Sequence, residues 1–221
     1  MKNNINMLEV VSQACNERFE ETITEAFHAS RLRPNLPKPI MKVRFPGGKE
    51  LITQVGRKFL SQQNREFQWL PEYDKIAAWL TNNEGKGLLL SGAPGRGKTL
   101  ITQCVIPFII KSWAQYTNRP WGIISFHAGD FEQEDVYRLN NPKLLYGFDD
   151  LGVEQLVDNR NRPLRLFDQI VERAVEHGLL LVVTTNLSKS QLAERYSSAT
   201  LDRLYSVTRL IACPGESLRP K

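Results

Sequence analysis

From Gly85 onward the chain alternates short, unbroken apolar runs with longer stretches in which apolar residues recur every three to four positions. The short runs cover residues 87–91, 121–126, 144–149, 179–185 and 207–212. Each has strand length, and they lack the strict alternation of a strand with one wet face. The longer stretches, after Lys98 and across 131–139, 164–177 and 189–204, carry the helical period. Buried strands separated by helices predict an α/β fold, a five-stranded parallel sheet covered by helices on both faces. Two residues disturb the pattern. Pro107 falls inside the helix expected after Lys98 and predicts a kink or an early helix end near Ile106, and Gly147 is unusual for a central strand.

Upstream the pattern changes. Ile5, Leu8, Val11, Ala14, Phe19, Ile23 and Phe27 lie near helical spacing among Glu and Gln, which predicts an amphipathic helix over 5–29. Pro34, Pro37 and Pro39 then exclude helix and favour an extended linker. A turn at Pro46-Gly47-Gly48 leads to helices expected over 51–63 and 73–81, with Phe67, Trp69 and Tyr73 between or at their ends. These aromatics have two readings: core packing, the commoner use of such residues before an apolar helix, or stacking on bases or on adenine. The expected division is a small helical extension, residues 1–65, before a core domain, residues 66–221.

The 221 residues are 41% hydrophobic and 24% charged, the composition of a globular chain with one substantial core. The net charge of +5 is concentrated. Residues 31–58 hold Arg31, Arg33, Lys38, Lys42, Arg44, Lys49, Arg57 and Lys58 against Glu50 alone, whereas residues 1–30 are acidic and the rest nearly balanced. Such a block suits phosphates, an acidic partner surface or water alone. No apolar run approaches the ~20 residues of a membrane span, and the amino terminus has no signal-like apolar region. Cys15, Cys104 and Cys213 are scattered without a Cys-x-x-Cys pair, so neither a disulfide framework nor a zinc site is expected, and a reducing cytoplasm is the simplest location.

The strongest chemical signal is Gly92-Ala93-Pro94-Gly95-Arg96-Gly97-Lys98-Thr99, a match to G-x-x-x-x-G-K-[ST] placed directly after a strand and, through Leu100, directly before a helix. Its glycines let successive backbone amides converge on a polyphosphate, Lys98 supplies a positive charge to the terminal phosphates, and the Thr99 hydroxyl suits Mg²⁺. The strand over 144–149 ends in Asp149 and Asp150. Beside a phosphate loop, Asp149 suits Mg²⁺ and Asp150 the orientation or deprotonation of water; the competing reading is that the pair only ends a strand. The strand over 179–185 ends in Thr184-Thr185-Asn186. Asn186 can bond both a terminal phosphate and the attacking water, or it can cap the helix that begins near Ser188.

Taken in order, Gly92 to Thr99, Phe148-Asp-Asp-Leu-Gly-Val-Glu154, Thr184-Thr-Asn-Leu187, Thr200-Leu-Asp-Arg-Leu204 and Gly215-Glu-Ser-Leu-Arg219 resemble the AAA+ ATPases. The nearest resemblance is to the bacterial helicase-loader group typified by DnaC and DnaI, with the IstB transposition ATPases close by, and it covers residues 66–219. It implies the P-loop NTPase fold of the AAA+ kind, a parallel five-stranded sheet covered by helices on both faces, with a small N-terminal helical extension and no C-terminal lid. It further implies an ATPase that uses ATP and Mg²⁺, with Asp149 on the metal, Asp150 catalytic and Asn186 a first sensor. Arg203 is implied as an arginine finger for a neighbouring subunit's nucleotide and Arg219 as a second sensor. Loaders commonly carry two arginines four positions apart here, and this chain has Ala199 at the earlier position, which leaves Arg195 and Arg173 as other fingers. The implied function is that of a nucleotide-switched homo-oligomer that binds a replicative helicase and single-stranded DNA at the start of replication. The alternative is an IstB-like ATPase that regulates a transposase on double-stranded DNA. Two readings from other classes, a nucleotide-binding adaptor and a small-molecule kinase, fit the acid pair and the Asn186 strand less well.

Overall fold

The computed structural model describes residues 38–154, 156–159 and 162–218, together with Glu21 and Glu25. The rest of the amphipathic helix expected over 5–29, most of the Pro-rich linker and Arg219 lie outside the described residues. In chain order the elements are α1 (Gly48–Ser61), α2 (Pro71–Thr81), β1 (Gly87–Ser91), a π-helical segment (Leu100–Val105) continuing into α3 (Ile106–Tyr116), and β2 (Gly122–His127). They continue with a single 3₁₀ turn (Ala128–Asp130), α4 (Gln133–Arg138), β3 (Leu144–Leu151), β4 (Leu156–Asn159), β5 (Arg162–Arg165), α5 (Leu166–His177), β6 (Leu180–Thr185), α6 (Lys189–Arg195), α7 (Ser198–Val207) and β7 (Thr208–Ala212).

Five strands form one sheet in the order β2-β3-β6-β1-β7, every neighbouring pair parallel. Side-chain alternation divides its apolar residues between two cores. Leu88, Leu90, Leu145, Leu180 and Val182 face one core, with α1, α2 and α3. Leu89, Tyr146, Phe148, Leu181 and Val183 face the other, with α4, α5 and α7. Because both faces are covered, nothing in these strands has to be polar, and the unbroken apolar runs follow. Packing continues across residue 65, where the sequence suggested a division. Val43, Phe45, Ile52 and Val55 share the first core with the sheet. Fully buried Asn83 ties this segment down by accepting from Val43 N at 2.9 Å and donating to Met41 O at 3.0 Å.

Four departures from the expected pattern have local causes. The helix after the loop neither ends nor breaks at Pro107. Leu100–Val105 widens into π geometry, with Ile106 N–H reaching Ile101 O, so proline's missing N–H and its ring fall where the ladder is already shifted. The helix expected over 189–204 is two helices, because Ser188 and Ser197 each cap an amino terminus. The helix expected from residue 164 begins at Leu166, since Arg162–Arg165 pairs antiparallel with Leu156–Asn159. β3 runs past Asp149 to Leu151 through a bulge between Phe148 and Leu151. Gly147 belongs in this strand because a Cβ there would stand 2.8 Å from Ser125 Oγ.

Gly87 gives a direct test of the sheet. A Cβ at this position would lie 2.2 Å from the Leu181 carbonyl oxygen of β6, a backbone atom with no room to move. Gly87→Ala is expected to cost about 1–3 kcal/mol, read as a lowered denaturation midpoint with unchanged secondary structure.

Candidate nucleotide-binding site

β1 ends at Ser91, and residues 92–99 turn at the carboxyl edge of the sheet. The turn needs glycine for two reasons at once. Gly95 and Gly97 have φ of 81° and 73°, and a Cβ on them would meet Ser217 Oγ at 2.0 Å and Tyr73 Oη at 2.2 Å. Lys98, only 5% exposed, donates to Gly92 O at 2.6 Å, Ala93 O at 2.9 Å and Asn186 Oδ1 at 2.8 Å. The loop thus wraps its own lysine, whose ammonium is aimed at the end of β6.

The acidic pair lies two strands away, because β6 sits between β1 and β3. Buried Asp149 accepts at one oxygen, Oδ1, from Thr99 Oγ1 at 3.2 Å and from Thr184 Oγ1 at 2.6 Å. Thr184 Oγ1 in turn accepts from Asp150 N at 2.9 Å. Asp150 holds φ of 58°, a left-handed conformation that costs a non-glycine residue about 1–2 kcal/mol. The bulge in β3 and these hydrogen bonds maintain it, and they turn consecutive carboxylates in different directions. Asn186 joins the halves of the site: its Nδ2 donates to Asp150 Oδ1 at 2.9 Å while its Oδ1 accepts from Lys98. Ser188 is the cap of α6, so the capping alternative for Asn186 is removed. His127, at the end of β2, brings Nε2 to 3.8 Å from Asp150 Oδ2.

These groups open into a cleft of about 440 Å³. Pro94, Gly95, Gly97, Lys98, Thr99, Leu100, Asp150 and Asn186 line it, together with Leu60, Arg65, Glu66, Phe67, Gln68, Tyr73 and Leu218. Phe67 stacks on Tyr73 with centroids 5.8 Å apart; Tyr73 is in the core with Phe67 and Trp69 packed against it, as the core reading expects, and Phe67 and Tyr73 also line the cleft. Burial raises the Tyr73 hydroxyl's pKa, keeping it a neutral donor to Arg96 O.

Other residues singled out by sequence lie elsewhere. The Arg96 side chain leaves the cleft; Nε and Nη2 donate to Glu72 Oε1 at 3.1 and 2.8 Å, a buried pair that pins the loop to α2. Breaking such a pair by removing one partner costs about 3–5 kcal/mol. Arg203 is exposed on α7 and does not line the cleft. Arg173 donates to Leu139 O at 3.1 Å. Arg195 is held at Glu154, Nη2 donating to its carbonyl at 2.7 Å. Arg219 lies outside the described residues, while Leu218 N donates to Gly95 O at 3.0 Å and brings the chain that precedes it onto the loop. Sequence reading assigned no role to several contributors. Glu154 receives Gly152 N–H at 2.7 Å and the Tyr196 hydroxyl, clamping the segment after Asp150 to the end of α6; its place in the Asp-Asp-Leu-Gly-Val-Glu motif was the available signal. Glu72, Arg65, Glu66 and Gln68 carry none, because they reach the site only through tertiary packing; Phe67, between them, had its aromatic ring as a signal.

Among the described residues no group of three or more His, Cys, Asp or Glu side chains is placed to hold a metal, and no helix is long and apolar enough to cross a membrane. The donor set at the cleft is Thr99 Oγ1 beside Asp149 Oδ1. Two protein oxygens fit Mg²⁺, which is commonly held by one or two side chains and completed by waters and phosphate oxygens.

No protein-family model matches the chain, and no curated protein sequence does. Among solved structures the chain is similar to a DnaC helicase loader, at 19% identity and a TM-score of 0.47 over 66% of this chain and 93% of that one. It is also similar to DnaI, at 19% identity and 0.46 over 78% and 85%, and to a putative primosome component from Streptococcus pyogenes serotype M3, at 14% and 0.44 over 86% and 89%. The assignment of the α/β fold rests on the strand order and the phosphate loop themselves.

Behind the loop, burial pushes the Cys213 thiol up from 9.0 to about 11, with the Glu72 carboxylate adding to the shift and Lys98 and Arg96 opposing it. A pKa raised in the folded state gives stability that is present below the unfolded value and lost as pH rises through the folded one. Urea midpoints should therefore fall more between pH 9.0 and about 11 in the wild type than in Cys213→Ala, whose midpoint lacks this component.

Proposed function

We propose that the protein is a Mg²⁺-dependent ATPase of the helicase-loader type, which acts as a nucleotide-switched homo-oligomer to place a replicative helicase on single-stranded DNA. The observation that carries the ATPase reading is the linkage across the cleft: Lys98 and Asp150 meet on one amide, Asn186, while Thr99 and Asp149 meet beside them. That juxtaposition supplies each role phosphoryl transfer to water requires. The loop amides and Lys98 bind and orient the terminal phosphates. Thr99 and Asp149 would hold Mg²⁺, which when bound neutralises charge on the phosphate oxygens. Asp150, turned toward the cleft by its left-handed backbone, positions the attacking water and takes its proton. Asn186 reports whether a terminal phosphate is present, because it touches both the Lys98 ammonium and the Asp150 carboxylate, the two groups between which that phosphate and the attacking water would sit.

Arg203 is offered on the surface rather than to its own cleft, the position a finger acting on a neighbouring subunit requires. Turnover would then depend on assembly. The partners, a hexameric helicase and single-stranded DNA, follow from the ordered motifs quoted for the loader group. An IstB-like role would share the same engine and differ in acting with a transposase on duplex DNA.

Phosphate release should be abolished by Lys98→Ala and reduced about 10²–10⁴-fold by Asp150→Asn, the latter with ATP binding retained. Wild-type release no faster than either variant sinks the ATPase reading. Arg203→Ala should be inactive alone and partly rescued by mixing with Asp150→Asn subunits, since each then supplies what the other lacks. A hexameric replicative helicase should be retained on the immobilised protein in a nucleotide-dependent manner, and absence of retention in both ATP and ADP would argue against loading.

A further inference from the structure

The outer side of α1 and α3 carries a surface the nucleotide cleft does not use. Two grooves, of about 740 and 580 Å³, share Phe59 and Phe108, whose rings stand edge to face 6.0 Å apart. Along α3, Phe108, Ser112 and Tyr116 follow at intervals of four residues on one face, and Phe108 is 52% and Tyr116 91% exposed. Together with Phe59 these rings make a contiguous exposed apolar patch, the kind of surface that marks a binding site.

The charge on this surface is one-sided. Lys58, Lys111 and Arg119 line it, all three exposed, and neither groove is lined by an Asp or Glu. Among the described residues none of the three has a carboxylate partner. Arg119 lies over the Trp113 ring at 5.1 Å, and Trp113 and Trp121 are packed at 4.5 Å. Lys58 belongs to the basic block that stands out in the sequence, and the nucleotide site makes no use of it.

Exposed π faces interleaved with cations that have no carboxylate partner among the described residues suit a ligand that is both polyanionic and rich in flat apolar faces. Duplex DNA offers the charge but hides its base faces in the stack, whereas a single strand offers both. We infer that this surface of α1 and α3 binds single-stranded nucleic acid, with bases on Phe108 and Tyr116 and phosphates on Lys58, Lys111 and Arg119. The inference rests on the single-strand part of the reading above and gives it a location away from the ATP cleft.

The test is fluorescence anisotropy of a labelled oligothymidylate with the full chain, and phosphate release measured in parallel. Phe108→Ala and Tyr116→Ala should each weaken binding about tenfold, and Lys111→Glu should lower the slope of log affinity against log salt by about one. Phosphate release in the absence of DNA should be unchanged in all three, which shows that the variants fold. Variants that bind the oligonucleotide as the wild type does overturn this location and leave the single-strand reading standing. A wild type with no affinity for the oligonucleotide overturns both. Variants that keep the oligonucleotide and lose the hexameric helicase overturn the inference in favour of a protein interface.

Discussion

One buried hydroxyl organises the site. Thr184, fully excluded from solvent at the end of an apolar strand, donates to the Asp149 carboxylate and accepts from the Asp150 amide. A carboxylate and an unusual backbone turn brought to the edge of an apolar sheet need partners from the protein, since each unpaired group would cost about 1–3 kcal/mol. Thr184 satisfies one lone pair of the first and one donor of the second. In doing so it sets where the two acids point, and the placement of the proposed metal and water chemistry follows from it.

A second constraint is that the loop must be held without filling the cleft. The protein does this from behind. Arg96 reaches back to Glu72 on α2, Tyr73 supports the Arg96 carbonyl, Cys213 backs Gly92, and Ser217 and Leu218 press against Gly95. Glu154 does the same for the segment after the acids by gathering Gly152, Arg195 and Tyr196. The face of the loop that meets the cleft is left to backbone amides, Lys98 and Thr99. Such support makes the geometry stiff, and stiffness is what a site working through orientation and fixed charge requires.

The Glu154 clamp also reaches beyond the site. It joins the turn after Asp150 to the junction of α6 and α7, and α7 carries exposed Arg203. The acid turn and the junction that leads into the helix proposed to face a neighbour are therefore held to one buried carboxylate.

Local pattern carried the parallel sheet, the phosphate loop, both acids and Asn186, because strand period, glycine placement and a lysine–threonine pair are chemical requirements met within a few residues. The same local rules missed where distant parts meet. Nothing near Arg96 announces a partner 24 residues earlier at Glu72, and Arg65, Glu66 and Gln68 give no sign that they line a cleft. The expected kink at Pro107 became a π turn, and the division expected near residue 65 lies within continuous packing, because burial against the sheet outweighs local punctuation. By itself the sequence determined which residues form the loop and the two polar strand ends that are proposed to handle a phosphate, since those are written in residue types at short spacing. Only the tertiary structure decided that β6 would lie between β1 and β3, so that one asparagine bridges the lysine and the aspartate. That choice is made by which apolar faces bury best together, and it depends on the whole chain at once.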